Sequence, residues 1–169
     1  HLLRVIKIGG PAGLQGVIFS LSNVCILSGI NSFGSSAAAG AATSLNFEFV
    51  SYFFVNAFSQ ATVTFTSQNY AMCQIERCRK IFREAMACAI LMSGTTCLIF
   101  TLGAGVFSGL YTSNPEVIRY SVARMLIVES TQWLPATYEI SGAALRGMGI
   151  SMLPAIVTLV GSCLFRFVW

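Results

Sequence analysis

Charged residues are scarce in this sequence. Only 9% of its 169 residues are charged, against 55% that are hydrophobic, and there is no aspartate. A water-soluble domain carries about a quarter of its residues as charged groups, because its surface must be solvated. Four long stretches contain no charge at all, namely those between Lys7 and Glu48, Glu48 and Glu76, Glu84 and Glu116, and Arg146 and Arg166. Each can supply the roughly 20 apolar residues that cross a bilayer as a helix. The sequence therefore predicts an integral membrane protein.

The groups that hydrolases and metal sites need are also missing. The only histidine is His1, so no Ser–His or Cys–His pair can activate a nucleophile. The six cysteines show no paired CxxC spacing that would predict a metal site. The basic residues form no stripe interleaved with aromatics, which argues against nucleic-acid binding. We expect a protein that is not an enzyme and has neither a resident metal nor a cofactor.

The uncharged stretches predict an all-α, polytopic fold with five membrane-spanning helices. Their expected bounds are about 11–33, 44–70, 84–110, 117–144 and 150–169. The predicted connections are an uncharged Gly/Ser/Ala segment at 34–44, a basic segment at 70–83, a turn at 111–116 and a short turn at 146–149. Because the chain starts with His1 and stops just after an apolar run, we expect it to be a segment of a longer protein.

The basic residues are unevenly distributed between the two predicted sides of the membrane. Alternating the sides at each span leaves Arg119 on one side, with Arg124 and Arg166 inside spans. The other side collects Arg4, Lys7, Arg77, Arg79, Lys80, Arg83 and Arg146. Since Lys and Arg are retained in the cytoplasm during insertion, we expect a multi-pass protein of the cell (plasma or inner) membrane with a cytoplasmic N-terminus.

The second predicted helix has one polar face. With 100° per residue, Tyr52 falls within about 40° of Glu48, and Asn56 lies at the edge of that sector. Hydroxyls share the sector, and phenylalanines occupy the opposite side; these are Ser59, Thr62 and Thr66, and Phe54, Phe58 and Phe65. Unsatisfied polar groups in hydrocarbon cost several kcal/mol, so the face predicts either a polar cavity or hydrogen bonds to neighbouring helices.

The fourth predicted helix places Gln132 and Glu139 on one face. Pro135 removes a backbone hydrogen bond and should bend the helix, freeing carbonyl oxygens near Glu139. A carboxyl and loosened carbonyls can bind a proton, a sodium ion or an organic cation, and intramembrane carboxyls are usually functional.

Three further polar residues have two interpretations each. Glu129 either acts in transport or forms an ion pair, with Arg124 five residues earlier or with a group on another span. Arg146 could reach Glu139 but is expected at the cytoplasmic interface. Gln15, on the first predicted helix, either faces the same cavity or bonds a neighbouring helix.

Several short segments together resemble the multidrug and toxic compound extrusion family. In order, they are Pro11–Gly16, Ile30–Gly34, Asn56–Gln60, Thr64–Tyr70, Asn114–Ile118, Ala144–Gly149 and Ser151–Pro154. Their order and spacing resemble the C-terminal half of a bacterial member. The resemblance implies two six-helix bundles, of which this chain supplies five helices of an incomplete bundle, a partial C-terminal lobe. Its implied partners are the bilayer, an N-terminal lobe and a twelfth helix.

The family resemblance also implies a secondary active antiporter that exports organic cations or drugs in exchange for H⁺ or Na⁺. Glu48 and Glu139 match acidic positions of the family, and Gln15 stands where some relatives carry Glu. The candidate cation- and substrate-binding residues are Glu139, Glu48, Tyr52, Asn56, Gln132 and Gln15. Two alternatives remain open: a flippase for lipid-linked precursors, with Arg124 and Arg166 holding phosphate, and a membrane remnant that does not transport.

Overall fold

The structure is a computed structural model that describes residues 2–158 and 160–161, without the side chains of residues 1–9, Pro11, Ala12, Gln15 and Phe19. The described residues form helices and turns, which confirms the all-α prediction. The helices are α1 (Leu2–Asn31), α2 (Ser35–Ala71), α3 (Ile75–Leu102), α4 (Ala104–Tyr111), α5 (Pro115–Thr131), α6 (Trp133–Gly147) and α7 (Met152–Thr158).

Two predicted connections are largely helical. The segment at 34–44 is a turn only up to Gly34, whose φ of 102° favours glycine, and α2 begins at Ser35. Its alanines explain the difference, because alanine has the highest helix propensity and outweighs the scattered Ser and Gly. The basic connection likewise ends at Gln74, and α3 begins at Ile75.

The first turns of α3 are stabilised by their own charges. Glu76 lies in the first turn, where a carboxylate complements the helix dipole. Arg79 Nη1 lies 3.1 Å from Glu76 Oε1, and Lys80 Nζ lies 3.7 Å from Glu84 Oε1. Such (i, i+3) and (i, i+4) pairs stabilise helices. The charged segment that was expected to be a loop therefore forms the first turns of α3.

Two of the predicted long helices are interrupted. A turn at Gln132 separates α5 from α6, three residues before Pro135. The proline ring clashes with the carbonyl of the residue four positions earlier, Thr131, which accounts for the interruption, while the predicted bend itself stays a prediction. The third predicted helix breaks at Gly103, where an added Cβ would lie 2.5 Å from Phe107 Cε2.

Within the described residues, one helix is long and apolar enough by itself to cross a membrane, α3 at Ile75–Leu102. This criterion concerns length and composition alone. The helices α5 and α6 have 17 and 15 residues, each shorter than the roughly 20 that a crossing needs, and they reach that length only together. The count of five spans therefore stays a prediction, and part of the last one, at 150–169, lies outside the described residues.

The helix α2 is the centre of the bundle and packs against α3, α5 and α6. Two small apolar clusters fill these interfaces; they are Phe47, Phe100, Ala104 and Met125, and Val55, Ala89, Ala136 and Ile140. Two glycines permit close approach of the backbones. A Cβ at Gly40 would lie 2.8 Å from the carbonyl oxygen of Val117, and one at Gly147 would lie 2.9 Å from that of Val63.

These contacts give a first prediction. Replacing Gly40 by Ala should lower the free energy of unfolding by about 1–3 kcal/mol, because backbone atoms of α5 must move to admit the methyl group. Gly94→Ala is the matched control, since nothing lies within 4 Å of its added Cβ on α3. Thermal unfolding of the purified protein in detergent measures both variants. Equal midpoints for the two would contradict the close packing of α2 on α5.

Candidate functional site

A row of polar contacts, the polar seam, joins α2 to α5 and α6. Its α2 members are Ser36, Ser44, Glu48, Ser51 and Ser59, and their partners are Glu116, Arg124, Glu129, Glu139 and Arg146. Partner numbers rise along α5 and α6 as the α2 numbers rise. The α2 helix therefore runs parallel to α5 and α6. The chain returns through α3, which follows α2 and precedes α5 in the sequence.

Glu48 is paired with an arginine. Its Oε2 accepts a hydrogen bond of 2.9 Å from Arg124 Nη2, and Arg124 Nη1 donates to Ser44 Oγ at 2.8 Å. Both charged side chains are mostly buried, with 30% of Glu48 and 24% of Arg124 exposed. The alternative pairing of Arg124 with Glu129 is wrong, because five residues along a helix turn the two side chains about 140° apart.

Glu139 is also paired with an arginine. Arg146 Nη2 donates to Glu139 Oε1 at 2.8 Å, and Ser59 Oγ donates to the same oxygen at 3.1 Å. Arg146 therefore reaches Glu139, as one of its two interpretations has it, and its expected position at the cytoplasmic interface stays a prediction. Seven residues make almost two full turns, so both side chains lie on one face of α6 and meet.

Glu129 is the residue whose surroundings the sequence did not reveal. It is 1% exposed, and its Oε2 accepts a hydrogen bond of 2.9 Å from Ser51 Oγ. Its Oε1 has no hydrogen-bond partner among the described residues, and no ion pair there includes it. It lies in the last turn of α5, and its backbone oxygen accepts from Gln132 N at 3.1 Å. The break in the helix thus directly follows a buried carboxyl.

The remaining candidates on α2, Tyr52 and Asn56, lie outside the polar seam. Tyr52 is 45% exposed, and Asn56 is half-buried with its Oδ1 3.5 Å from Gln60 Nε2. Gln132 is half-buried at the helix break. The side chain of Gln15 lies outside the described residues.

The hydroxyls of the predicted polar face are buried where α2 packs against its neighbouring helices. Ser59, Thr62 and Thr66 are each buried, and Thr62 Oγ1 donates to the carbonyl oxygen of Phe58 at 2.7 Å. The structure also keeps the two arginine-paired carboxyls apart. Glu139 bonds Ser59, eleven residues after Glu48, which is about 16 Å along α2.

Comparison with known proteins agrees with the sequence resemblance. Residues 11–169 match the family model MatE. A probable multidrug resistance protein NorM of Thermotoga maritima is 24% identical over 157 residues, which are 93% of this chain and 34% of that protein. A probable multidrug resistance protein YoeA of Bacillus subtilis is 23% identical over 163 residues, 94% of this chain and 34% of that protein. The chain thus spans about a third of the length of these relatives.

The pairing of Glu48 with Arg124 can be measured by a double-mutant cycle. Glu48→Gln and Arg124→Gln should each destabilise the protein, while the double variant recovers part of the loss, with a coupling energy of about 1–3 kcal/mol. The cycle of Lys80 and Glu84 is the control, because that pair is exposed and should couple by about 0.5 kcal/mol or less. Unfolding in denaturant gives both energies, and equal coupling in the two cycles would refute the partly buried ion pair.

Proposed function

Because the chain belongs to the MatE family, we propose that it is part of a secondary active antiporter that exports organic cations, including drugs, in exchange for H⁺ or Na⁺. Members of this family are membrane transporters and not enzymes. Both relatives carry multidrug resistance in their names, which supports the proposed class of substrate. The chain would contribute part of one of the two lobes that alternate in access to the two sides.

The observation that carries the proposal is the buried carboxyl of Glu129. Its Oε1 is without a partner in the described part of the chain, and the nearest seam arginine, Arg124, is engaged by Glu48 and Ser44. A buried carboxylate without a counter-charge is costly. Binding of a proton or a sodium ion removes that cost. Glu129 is therefore the candidate site for the coupling ion, with Ser51 Oγ as a second oxygen ligand.

Glu48 and Glu139 would act differently from Glu129, since each already has a cationic partner. An organic cation that binds either carboxylate must displace an arginine. Competition between arginine, coupling ion and drug for these carboxylates would couple their binding, and such coupling is reciprocal.

An exposed aromatic face beside Glu48 supports a cationic substrate. Phe49, Tyr52 and Phe53 are 53%, 45% and 62% exposed, and the ring centroids of Phe49 and Phe53 lie 6.4 Å apart. Aromatic faces attract cations, most strongly where water is excluded. Tyr52 and Asn56 would shape this surface on α2, and Gln132 would adjoin the coupling-ion site at the helix break.

The flippase alternative finds less support in the arginines that it requires. Arg124 donates to Glu48 and Ser44, so its donors are directed to protein groups rather than to a phosphate. Arg166 lies outside the described residues.

Transport by Glu129→Gln tests the proposal. The variant keeps an acceptor for Ser51 but cannot release a proton or carry a charge, so efflux of a fluorescent organic cation should fall at least about tenfold. The assay uses full-length protein in proteoliposomes at a fixed membrane potential, with the pH and sodium gradients imposed separately.

Glu84→Gln is the control, since Glu84 is exposed on α3 and should pump normally. Efflux by Glu129→Gln at the control rate under both gradients would remove Glu129 from coupling. The same measurement on Glu139→Gln tests its proposed role as a substrate ligand.

A further inference from the structure

A cavity of about 750 Å³ lies at the end of the bundle where α2 and α6 finish and α3 begins. It is separate from the polar seam, since its wall includes none of Glu48, Glu129 and Glu139. Its wall is mainly apolar and includes Phe82, Ala144, Leu145 and Met148. Its volume is in the range of clefts that hold small organic ligands.

The position of this cavity along α3 corresponds to a membrane boundary. After Glu84 the helix has no charged residue up to its end at Leu102. These 18 residues are about 27 Å long, close to the thickness of the hydrocarbon layer. The α3 residues that line the cavity lie between Ile75 and Arg83, immediately before the apolar part. The cavity is therefore at the level where lipid headgroups meet acyl chains.

The basic residues of α3 are divided between two faces. Arg79 and Arg83 line the cavity, whereas Arg77 donates to Gln74 Oε1 at 3.0 Å and Lys80 pairs with Glu84. Glu76 also lines the cavity and accepts from Arg79 Nη1. A guanidinium has five N–H donors, so Arg79 retains donors for a second anion. Two arginines against one carboxylate leave a net positive rim.

One buried polar residue lies in the wall of the cavity. Thr66 lines it and is 1% exposed, and its Oγ1 has no hydrogen-bond partner among the described residues. Buried hydroxyls nearly always find a partner in the protein, a water or a ligand. This oxygen is closed off from the cavity in this structure, so recognition of a ligand depends on the arginine rim and the apolar wall.

We propose that this cavity binds an anionic phospholipid. Arg79 and Arg83 hold its phosphate, and the wall of Phe82, Leu145 and Met148 receives one acyl chain. Basic pockets between membrane helices recognise anionic lipid headgroups in this way, because a cationic rim and an apolar interior match the two parts of the molecule. The proposal does not depend on the proposed transport function.

Retention of lipid by the full-length protein tests this site. The protein is reconstituted in nanodiscs of mixed phosphatidylglycerol and phosphatidylcholine and is then released from them. Native mass spectrometry counts the molecules of each lipid that stay bound to the released protein. Arg79→Gln/Arg83→Gln should lower the preference for phosphatidylglycerol about tenfold or more. Arg77→Gln/Lys80→Gln removes the same charge from the other face and should lower it less than about threefold.

Two further measurements distinguish a bound lipid from a bound soluble anion. Ala144→Leu narrows the apolar wall without changing charge and should also weaken retention of phosphatidylglycerol. Inorganic phosphate at millimolar concentration should not displace the bound lipid. Equal losses in the two charge variants, no loss in either, full retention by Ala144→Leu, or displacement by inorganic phosphate would overturn the proposal.

Discussion

A charge that is removed from water must be compensated, and the interface of α2 with α5 and α6 is organised around this constraint. Arg124 compensates Glu48 and Arg146 compensates Glu139. Two serines of α2 take part as well, since Ser59 donates to Glu139 and Ser44 accepts from Arg124. Glu129 lies between these two pairs with a single serine donor. The helices thus pack through polar contacts as much as through apolar ones, which suits a bundle whose surroundings are themselves apolar.

The break at Gln132 divides this interface into two parts. Glu48, Arg124 and Glu129 belong to the part made with α5, and Glu139 and Arg146 belong to the part made with α6. A rotation at Gln132 would carry the second ion pair with α6 and leave the first in place. Interrupted membrane helices are typical of ion sites in transporters, because the break frees backbone groups and allows one half to move against the other.

The ion pairs change how a coupling scheme has to work. Two carboxylates open to water could exchange a cation directly, but two carboxylates held by arginines must first release a partner. In the proposed antiporter, charge balance would then be the coupling itself, since each cation that entered the seam would compete with a guanidinium already present. Glu129 is the exception, because neutralising it displaces no cation.

The sequence by itself determined the properties that depend on composition and order. Scarce charge predicted a membrane protein, Pro135 predicted that the fourth helix would be disturbed, and the ordered motifs predicted the family. The helix bounds were harder to predict from the sequence. The alanines after Gly34 and the ion pairs in the first turns of α3 stabilise helix in segments whose composition resembles that of loops. Tertiary structure alone decided which groups on other helices the carboxyls bond. A helical wheel gives the angle of each carboxyl about its own helix axis, but not its partner on another helix. Arg124 lies 76 positions from Glu48, and Ser51 and Ser59 lie 78 and 80 positions from Glu129 and Glu139. Only the parallel packing of α2 on α5 and α6 selects these partners.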